Sequence, residues 1–237
     1  MNGPAPTLEV VAASKRFGGV QALSGCSIEL KRGGVFGLIG PNGSGKTTLF
    51  NIITGIVRLD GGEIRYLGER IDRLPPHQIA RRGIGRTFQI VRIFPELTCI
   101  ENLVAVAPKG GGEARERARS LLDSVALAPL EDEYAGHLSF GQQKLLEFAR
   151  VLMREPDLIL LDEPAAGVNR TLLNQLLDQI AVLREAGRTI FVVEHDMKVV
   201  MRLCEEIIVL DHGEKIAQGP PTEIQNNPRV FEAYFGR

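Results

Sequence analysis

One stretch constrains this chain most, and it reads Gly40-Pro41-Asn42-Gly43-Ser44-Gly45-Lys46-Thr47. Its spacing, G-x-x-x-x-G-K-[ST], predicts a loop that binds phosphate. The apolar residues 35–39 before it predict a buried strand, and residues 48–53 after it predict the first turns of a helix. A strand, a loop and a helix in this order are the context that the motif needs. A glycine-rich loop that matched by chance would have no reason to show that context.

The residue types in this loop suit a phosphate ligand. Backbone N–H groups have to point at the phosphate oxygens, and the glycines at 40, 43 and 45 permit such a backbone. The helix predicted to begin near Lys46 adds free N–H groups and the positive end of its dipole. Lys46 can reach the β- and γ-phosphates of a nucleotide, while Thr47 can ligate Mg²⁺ and Thr48 can bond the α-phosphate.

The composition excludes several other kinds of protein. The chain has 237 residues, of which 44% are hydrophobic and 24% charged, as in an ordinary globular protein with one core and a subdomain. The net charge of -1 argues against nucleic acid as a partner. The cysteines at 26, 99 and 204 form no close pair, which favours buried thiols in a reducing compartment over a zinc site.

We expect neither a secretory signal nor a membrane span. Residues 1–6 have neither a basic segment nor an apolar stretch. No apolar run approaches the length of about 20 residues that spans a bilayer. A role in membrane transport would therefore need another chain to supply the pore.

The pattern of apolar and polar residues predicts two kinds of region. Strands are predicted at residues 7–13 and 20–30, with a turn at 14–19 between them. Residues 89–154 read as mainly helical and lie between two stretches of α/β character. Further predictions are a helix at 144–153, buried strands at 158–161 and 189–193, a hairpin at 207–218 and a helical tail at 220–235.

Two carboxylates follow the first of these buried strands. Residues 158–161 are all apolar, and Asp162 and Glu163 come next. Open α/β sheets bind ligands at the C-terminal ends of their strands, so both carboxylates are candidates for the phosphate site. Asp162 suits Mg²⁺, directly or through water, and Glu163 can accept a proton from an attacking water. The alternative is a pair of solvated carboxylates, which the upstream phosphate loop disfavours.

Three other side chains are ambiguous when each is considered alone. Phe17 either stacks on an adenine face or packs in the core near a turn. Ser139 either is an ordinary N-cap or belongs to a second anion-binding helix start. His195 follows the strand at 189–193 and shares a sheet edge with Asp162, but a lone histidine there also suits a cap or a solvated site.

The order of these elements resembles the ATP-binding-cassette (ABC) ATPases over nearly the whole chain. The phosphate loop is followed by Gln89, then by Leu138-Ser139-Phe140-Gly141-Gln142, then by Asp162-Glu163 and last by His195. The element at residues 138–142, which we name the signature, is specific because Leu-Ser-x-Gly-Gln stands close before a hydrophobic-Asp-Glu strand.

The resemblance implies a fold and a division of the chain. The fold would be an α/β P-loop NTPase core with a mainly parallel sheet, an N-terminal antiparallel β subdomain and an inserted helical subdomain. Residues 1–237 would form a single ABC ATP-binding domain. Its nucleotide-binding core would be at about 1–88 and 155–237, and its helical subdomain at about 89–154.

The resemblance also implies which residues bind ATP. Phe17 would stack on adenine, and the signature would contact the γ-phosphate held by the other subunit of a dimer. The implied nucleotide-binding residues are Phe17, Gly40, Pro41, Asn42, Gly43, Ser44, Gly45, Lys46, Thr47, Thr48, Ser139, Gly141 and Gln142.

Five residues take the implied catalytic and metal roles. Glu163 matches the catalytic base, and His195 matches the histidine that senses the γ-phosphate. Gln89 matches the glutamine that contacts Mg²⁺ or the lytic water and moves the coupling interface. Asp162 and Thr47 match the residues that hold Mg²⁺.

The chain departs from the family pattern at two places. Phe140 replaces the commoner glycine in the signature. Ala166-Gly167-Val168-Asn169 stands where many relatives carry Ser-Ala-Leu-Asp. The second departure leaves the dimer contact of that aspartate open.

Several short runs resemble the branched-chain amino-acid importer ATPases in particular. They are Arg86-Thr87-Phe88-Gln89, Gly141-Gln142-Gln143, Pro164-Ala165-Ala166-Gly167, Glu194-His195-Asp196-Met197-Lys198 and the end at residues 226–236. This implies a Mg-dependent ATPase that powers such an importer. The alternatives are an importer of urea or short amides, the ATPase of a lipid exporter, and a non-transport ABC ATPase. The last usually has a long coiled-coil insert or two cassettes, and neither is present here.

The same resemblance implies the partners. They are ATP, a second ATPase subunit paired head to tail in a homodimer or heterodimer, separate integral membrane permease subunits, and a periplasmic or extracellular binding protein. The chain would lie on the cytoplasmic face of the cell membrane. Apolar residues are dense over 89–100, which predicts a groove there for a short helix of the permease.

Overall fold

Two β-sheets organise the fold in this computed structural model, which describes residues 6–108 and 110–235. The first sheet is antiparallel and has the strand order β2-β1-β4-β5. Its strands are β1 (Leu8–Phe17), β2 (Val20–Leu30), β4 (Gly61–Tyr66) and β5 (Glu69–Arg70). The turn predicted at 14–19 is wrong for its first four residues, because β1 continues to Phe17 and pairs there with β2 through a series of bulges.

The second sheet has six strands in the order β10-β9-β3-β8-β7-β6. They are β3 (Val35–Ile39), β6 (Ile84–Arg86), β7 (Leu158–Asp162), β8 (Thr189–Val193), β9 (Glu206–Asp211) and β10 (Glu214–Gly219). All neighbours are parallel except β10, which forms the predicted hairpin with β9. Every residue of β3, β7 and β8 is buried, as expected for central strands covered on both faces.

Helices surround these sheets and fill the connections between strands. They are α1 (Lys46–Ile53), α2 (Pro76–Arg81), α3 (Cys99–Val104), α4 (Gly112–Ser124), α5 (Phe140–Leu152), α6 (Arg170–Glu185), α7 (Met197–Leu203), α8 (Pro221–Gln225) and α9 (Pro228–Phe235). Between β6 and β7 the described chain contains α3, α4, α5 and two short 3₁₀ turns, but no strand.

Alternate residues of the central strands build two cores, one on each face of the large sheet. Leu38 and Phe191 point toward the antiparallel sheet and α1, where the Phe191 ring lies 5.1 Å from the ring of Phe50. Ile39 and Val192 point the other way and pack with α3, α4, α5 and α6. All three cysteines are buried and free, as predicted.

Two helix predictions have the wrong bounds. The helix predicted at 144–153 begins earlier, at Phe140, because Ser139 caps it in a capping box with Gln142. The helical tail predicted at 220–235 is two helices, and Pro228 begins the second of them. Within the described part of the chain, no helix has the length and apolar character needed to cross a bilayer.

Candidate nucleotide site

The phosphate loop joins β3 to α1, as the motif requires. Gly40 has φ +151°, and a Cβ there would lie 2.1 Å from the carbonyl oxygen of Leu210. Gly45 caps α1 with φ +106°, and a Cβ there would lie 2.5 Å from the carbonyl oxygen of Ala22. Glycine is therefore needed at both positions for backbone conformation and for space.

Lys46 places its ammonium group inside the loop. Its Nζ donates hydrogen bonds to the carbonyl oxygens of Gly40, at 2.8 Å, and Pro41, at 2.9 Å. Burial lowers the pKa of Lys46, while the carboxylates of Glu163 and Asp162 act in the opposite direction. The cation and both carboxylates therefore act on one another across the site.

A cleft of about 300 Å³ opens over the loop. Its walls come from distant parts of the chain, since β2, the phosphate loop and the ends of β6, β7 and β8 all contribute. The lining residues are Val20, Ala22, Asn42, Gly43, Ser44, Gly45, Lys46, Thr47, Thr48, Gln89, Glu163 and His195. The sequence thus predicted most of this lining, but not Val20 and Ala22.

The Glu163 carboxylate accepts a hydrogen bond at each of its two oxygens. Gln89 Nε2 donates to Oε2 at 3.2 Å. His195 Nε2 lies 3.0 Å from Oε1 and donates to it in the tautomer with the proton on Nε2. The donors follow two different strands of the large sheet, so the sheet edge brings all three side chains together. This fixes the carboxylate beside Lys46 and orients it toward the cleft.

Asp162 is buried beneath this cleft and pairs with Arg86. Arg86 Nη2 donates to Asp162 Oδ2 at 2.9 Å, and their side chains are 6% and 3% exposed. Arg86 Nη1 also donates to Asn51 Oδ1 at 2.8 Å and to Thr54 Oγ1 at 3.1 Å. Asn51 lies in α1, and Thr54 is the C-cap of that helix. Arg86 therefore ties the end of β7 to the helix that follows the phosphate loop.

Three of these side chains fit Mg²⁺. Thr47 and Gln89 line the cleft, and Asp162 is close enough to Lys46 to influence its pKa. Their hydroxyl, amide and carboxylate oxygens are the ligand type that Mg²⁺ prefers, with phosphate oxygens and water completing its shell.

Glu194 is a site residue that the sequence did not single out by itself. It is 4% exposed. Its Oε1 accepts the N–H of Ala165 at 2.7 Å, and its Oε2 accepts the N–H of His195 at 2.9 Å. Glu194 therefore joins the loop after Glu163 to the loop that carries His195. The buried strand ending in Glu194-His195 was the signal that could have indicated it.

Phe17 and the signature lie outside this cleft. Phe17 is 49% exposed, so it is not the core phenylalanine that the sequence left as one alternative. Ser139 Oγ accepts the N–H of Gln142 at 3.4 Å, and Gln142 Oε1 accepts the N–H of Ser139 at 2.9 Å, so both belong to the α5 cap. Asn169 is likewise an N-cap, since its Oδ1 accepts the N–H of Leu172 at 3.0 Å.

A second groove, of about 390 Å³, lies between α2, β6 and α5. We name it the arginine groove, since its lining includes Arg86, Arg92, Arg150 and Arg154 beside the apolar Ile56, Ile79 and Val151. Of the residues 89–100, around which the sequence predicted a groove, Arg92 is in this lining. Ile100 is 1% exposed and belongs to the core, whereas Ile90, at 81%, and Phe94, at 44%, project outward.

The lining of the arginine groove includes four arginines and one carboxylate, Glu147. The Glu147 oxygens accept the backbone N–H groups of Phe88 and Arg92, and Arg86 is paired with Asp162, so the remaining arginines leave the groove with a positive charge. The Nε atoms of Arg86 and Arg150 are buried without a hydrogen-bond partner. Arg150 lies with its Cζ 4.5 Å from the centroid of the exposed Phe94 ring.

Comparison with known protein families finds two matches in this chain. The family described as ABC transporter matches residues 23–166. The family described as branched-chain amino acid ATP-binding cassette transporter matches residues 214–237. The first match covers the phosphate loop, Gln89, the signature and Asp162-Glu163.

Curated relatives are similar over almost their whole length. The high-affinity branched-chain amino acid transport ATP-binding protein BraF of Pseudomonas aeruginosa is 42% identical, with 98% of each chain covered. The corresponding protein LivG of Escherichia coli strain K12 is 39% identical, again with 98% of each chain covered.

Solved structures agree with these sequence matches. A nucleotide-free ATP-binding cassette from an ABC transporter has a TM-score of 0.90 and 34% identity, covering 98% of this chain and 100% of that one. A dimeric cassette bound to ADP and phosphate has a TM-score of 0.82 and 28% identity, covering 90% of this chain and 98% of the other. The chain therefore belongs to the ABC transporter family, and it is an ATP-binding cassette that hydrolyses ATP.

Proposed function

We propose that this chain powers an importer of branched-chain amino acids. The observation that carries its chemistry is the Glu163 carboxylate, which Gln89 and His195 hold beside the phosphate loop. The substrate class is supported by the similarity to the branched-chain amino acid transport proteins BraF and LivG and by the family match at residues 214–237. The chain would lie on the cytoplasmic face of the cell membrane, attached to its permease subunits.

The proposed reaction is attack of water on the γ-phosphorus of ATP. As the water oxygen bonds to phosphorus, Glu163 accepts its proton, and the bond to the β,γ-bridging oxygen breaks to release ADP. Lys46 and the N–H groups of the loop stabilise the negative charge on the phosphate oxygens. Thr47, Asp162 and Gln89 would hold Mg²⁺, and the bound ion would supply further neutralisation of phosphate charge. Gln89 and His195 orient the carboxylate, and His195 also senses the γ-phosphate.

Adenine would bind against the antiparallel sheet. Phe17 is the last residue of β1, and its ring is exposed. It pairs across the β1–β2 hairpin with Val20, which lines the cleft. Lys15 Nζ lies 5.3 Å from the centroid of the Phe17 ring and donates a hydrogen bond of 2.6 Å to Asp60, which restrains this end of β1. We propose that Phe17 stacks on the adenine face.

Two chains would pair head to tail with two ATP molecules between them. The signature does not line the chain's own cleft, and a related cassette has been solved as a dimer bound to ADP and phosphate. A two-fold dimer would bring Ser139 and Gly141 of one chain to the γ-phosphate held by the other. The helical segment at 89–154, acting as a subdomain, would move with this closure.

With Mg-ATP, the Glu163→Gln variant is expected to form a dimer of twice the 25.9 kDa chain mass. Binding without hydrolysis keeps ATP at the interface, which favours the closed pair. Light scattering with and without Mg-ATP measures the mass, and the Lys46→Ala variant, which is expected to bind ATP more weakly, is the control. A Glu163→Gln protein that stays monomeric under saturating ATP would contradict the head-to-tail arrangement.

We propose that a short cytoplasmic helix of the permease binds in the arginine groove. Its apolar residues can pack against the apolar face of an amphipathic helix, and its arginines can pair with acidic residues on that helix. Arg86 connects this groove to Asp162, and Gln89 connects the adjoining loop to Glu163. ATP-driven movement of these residues would therefore shift the groove and the helix within it.

Phe94→Glu is expected to abolish transport while leaving the ATPase activity of the isolated chain unchanged. Phe94 is exposed beside Arg150 at the groove and far along the chain from the catalytic carboxylates. The matched control is Val182→Glu, which puts the same charge on an apolar position of α6 that is also exposed. Transport is measured in the complex reconstituted in vesicles. Normal assembly and transport by a folded Phe94→Glu protein would rule out this docking site.

The substrate class is tested with the chain purified together with its membrane partners and binding protein. Radiolabelled leucine, urea and acetamide are offered in parallel to vesicles that contain ATP. We expect ATP-dependent accumulation of leucine. Accumulation of urea or acetamide instead would assign the chain to the alternative importers, and ATP-dependent removal of lipid would assign it to an exporter.

A further inference from the structure

Phe140, which departs from the common signature, packs against the second departure, Gly167. Gly167 has φ +71°, and a Cβ added to it would lie 2.9 Å from Cε1 and 3.0 Å from Cδ1 of the Phe140 ring. The ring and a side chain at 167 therefore compete for the same space. The contact therefore links Phe140 to one residue of the second departure, and glycine at 167 is favoured both by this ring and by its positive φ.

Lys144 lies one helical turn after Phe140 and beside its ring. The Nζ of Lys144 is 5.4 Å from the ring centroid, which is within the range of a cation–π contact. Lys144 is only 8% exposed. Its Nζ donates a hydrogen bond of 2.6 Å to the backbone carbonyl oxygen of Glu163. The α5 helix that begins in the signature is thus bonded directly to the proposed catalytic base of the same chain.

Glu163 needs such support because its backbone is strained. Its φ is +50°, in the left-handed region that residues other than glycine rarely adopt. The peptide N–H of Glu163 donates to the carbonyl oxygen of Val193 at 2.9 Å. The bond from Lys144 restrains the other side of the same residue. Together they set the direction in which the Glu163 side chain leaves β7 toward Gln89 and His195.

We propose that Lys144 is a positioning residue for Glu163, and that Phe140 is the residue of the signature through which the signature contacts Lys144. A shift of the signature, when it meets the nucleotide of the second chain, would move Lys144 and through it the carboxylate of the first chain. The two ATP sites of a dimer would then influence each other through α5. This inference rests on the proposed roles of Glu163 and the signature.

Charge balance alone is the competing explanation for a buried lysine at this position. The carboxylates of Glu194, Glu163, Glu147 and Asp162 all act on Lys144 and oppose the lowering of its pKa by burial. A lysine that only balanced these charges would affect folding and thermal stability. It would have no reason to affect the rate of hydrolysis separately from ATP affinity, so the two explanations differ in a measurable way.

The first experiment compares Lys144→Met with Lys144→Arg. The measured quantities are kcat and KM for ATP hydrolysis, the affinity for trinitrophenyl-ATP, and the unfolding temperature. For Lys144→Met we expect kcat to fall by roughly 10- to 10²-fold, the range for a slightly misplaced catalytic group, with nucleotide affinity within about twofold of wild type. Lys144→Arg keeps a cationic donor and is expected to recover most of the rate. Lys198→Met, an exposed lysine on α7, is the matched control.

The second experiment tests the link to the signature and does not depend on Lys144→Met folding. Gly167→Ala is expected to lower kcat because its Cβ would displace the Phe140 ring and because its φ of +71° strains any side chain. Adding Phe140→Gly in the same chain removes only the clash with the ring and is therefore expected to restore part of the loss. Phe140→Gly alone should lower kcat without lowering nucleotide affinity. Equal losses in the double variant and in Gly167→Ala would overturn the link between Phe140 and Lys144.

The outcome for Glu163→Gln separates this inference from the proposed function. If Glu163→Gln is inactive and a folded Lys144→Met has wild-type kcat, the base assignment stands and the positioning role is wrong. A drop in the unfolding temperature of Lys144→Met with unchanged kcat would show that Lys144 only balances the charge of its neighbouring carboxylates. If Glu163→Gln hydrolyses ATP at the wild-type rate, the base assignment is wrong and the positioning role is refuted with it.

Discussion

The Glu163→Gln variant is expected to bind ATP like the wild type and to hydrolyse it at least about 10²-fold more slowly. The amide keeps the size and shape of the side chain, but it cannot accept the proton of the attacking water. The bonds from Gln89 and His195 show that the wild-type carboxylate is held in one orientation beside the phosphate loop. Phosphate release gives the rate, and trinitrophenyl-ATP fluorescence gives the affinity.

The control for this variant is Glu185→Gln, which makes the same chemical change at an exposed residue at the end of α6. It should hydrolyse ATP at the wild-type rate. A loss of less than tenfold in Glu163→Gln would show that another group accepts the proton. Any such group would have to reach the same water, so Gln89→Glu and His195→Gln would be the next variants to measure.

Lys46→Ala is expected to abolish measurable hydrolysis and to weaken ATP binding. Lys46 is the cation that the loop directs into the site, and its Nζ is held there by the carbonyl oxygens of Gly40 and Pro41. Removing one such charge-stabilising group from a site typically costs about 10²–10³ in rate. Loss of the ammonium also removes its attraction to the β- and γ-phosphates, which accounts for the weaker binding.

Lys46→Ala is compared with Lys198→Ala, which removes a lysine from the surface near the same sheet edge. Both proteins are assayed for phosphate release and for ATP affinity, after their unfolding temperatures are shown to match the wild type. Hydrolysis by Lys46→Ala at the wild-type rate would contradict the assignment of the phosphate loop.

Local sequence was enough to predict the phosphate loop and the central strands. The loop is a short run whose backbone depends on its own glycines, and Gly40 and Gly45 have the positive φ angles that only glycine adopts easily. The strands β3, β7 and β8 are runs of apolar residues buried on both faces, so their composition alone predicted them.

Contacts between distant residues could not be predicted in the same way. Gln89 and Glu163 are 74 positions apart, and Arg86 and Asp162 are 76 apart, so their bonds depend on which strands become neighbours. The place of Lys144 against the Glu163 carbonyl depends likewise on how α5 packs on the sheet. Nothing in the local pattern around Lys144 distinguishes it from an exposed helical lysine.

The lining of a groove was hard to predict for a related reason. An apolar run does not show which of its members point inward. Ile100 in α3 is buried in the core, whereas Ile90 and Phe94 of the same run are exposed. The arginine groove takes Arg92 from this run, and most of its other lining residues come from α2, β6 and α5, which are far apart in the sequence.

The most direct test of the account measures leucine uptake and phosphate release together in vesicles that contain the complete transporter. With wild-type chain and ATP, both should occur. With Glu163→Gln, ATP should remain bound while both processes stop, because the same carboxylate serves hydrolysis and transport. ATP hydrolysis by the wild type without leucine accumulation, or leucine accumulation that continues with Glu163→Gln, would contradict the claim that this site powers import of branched-chain amino acids.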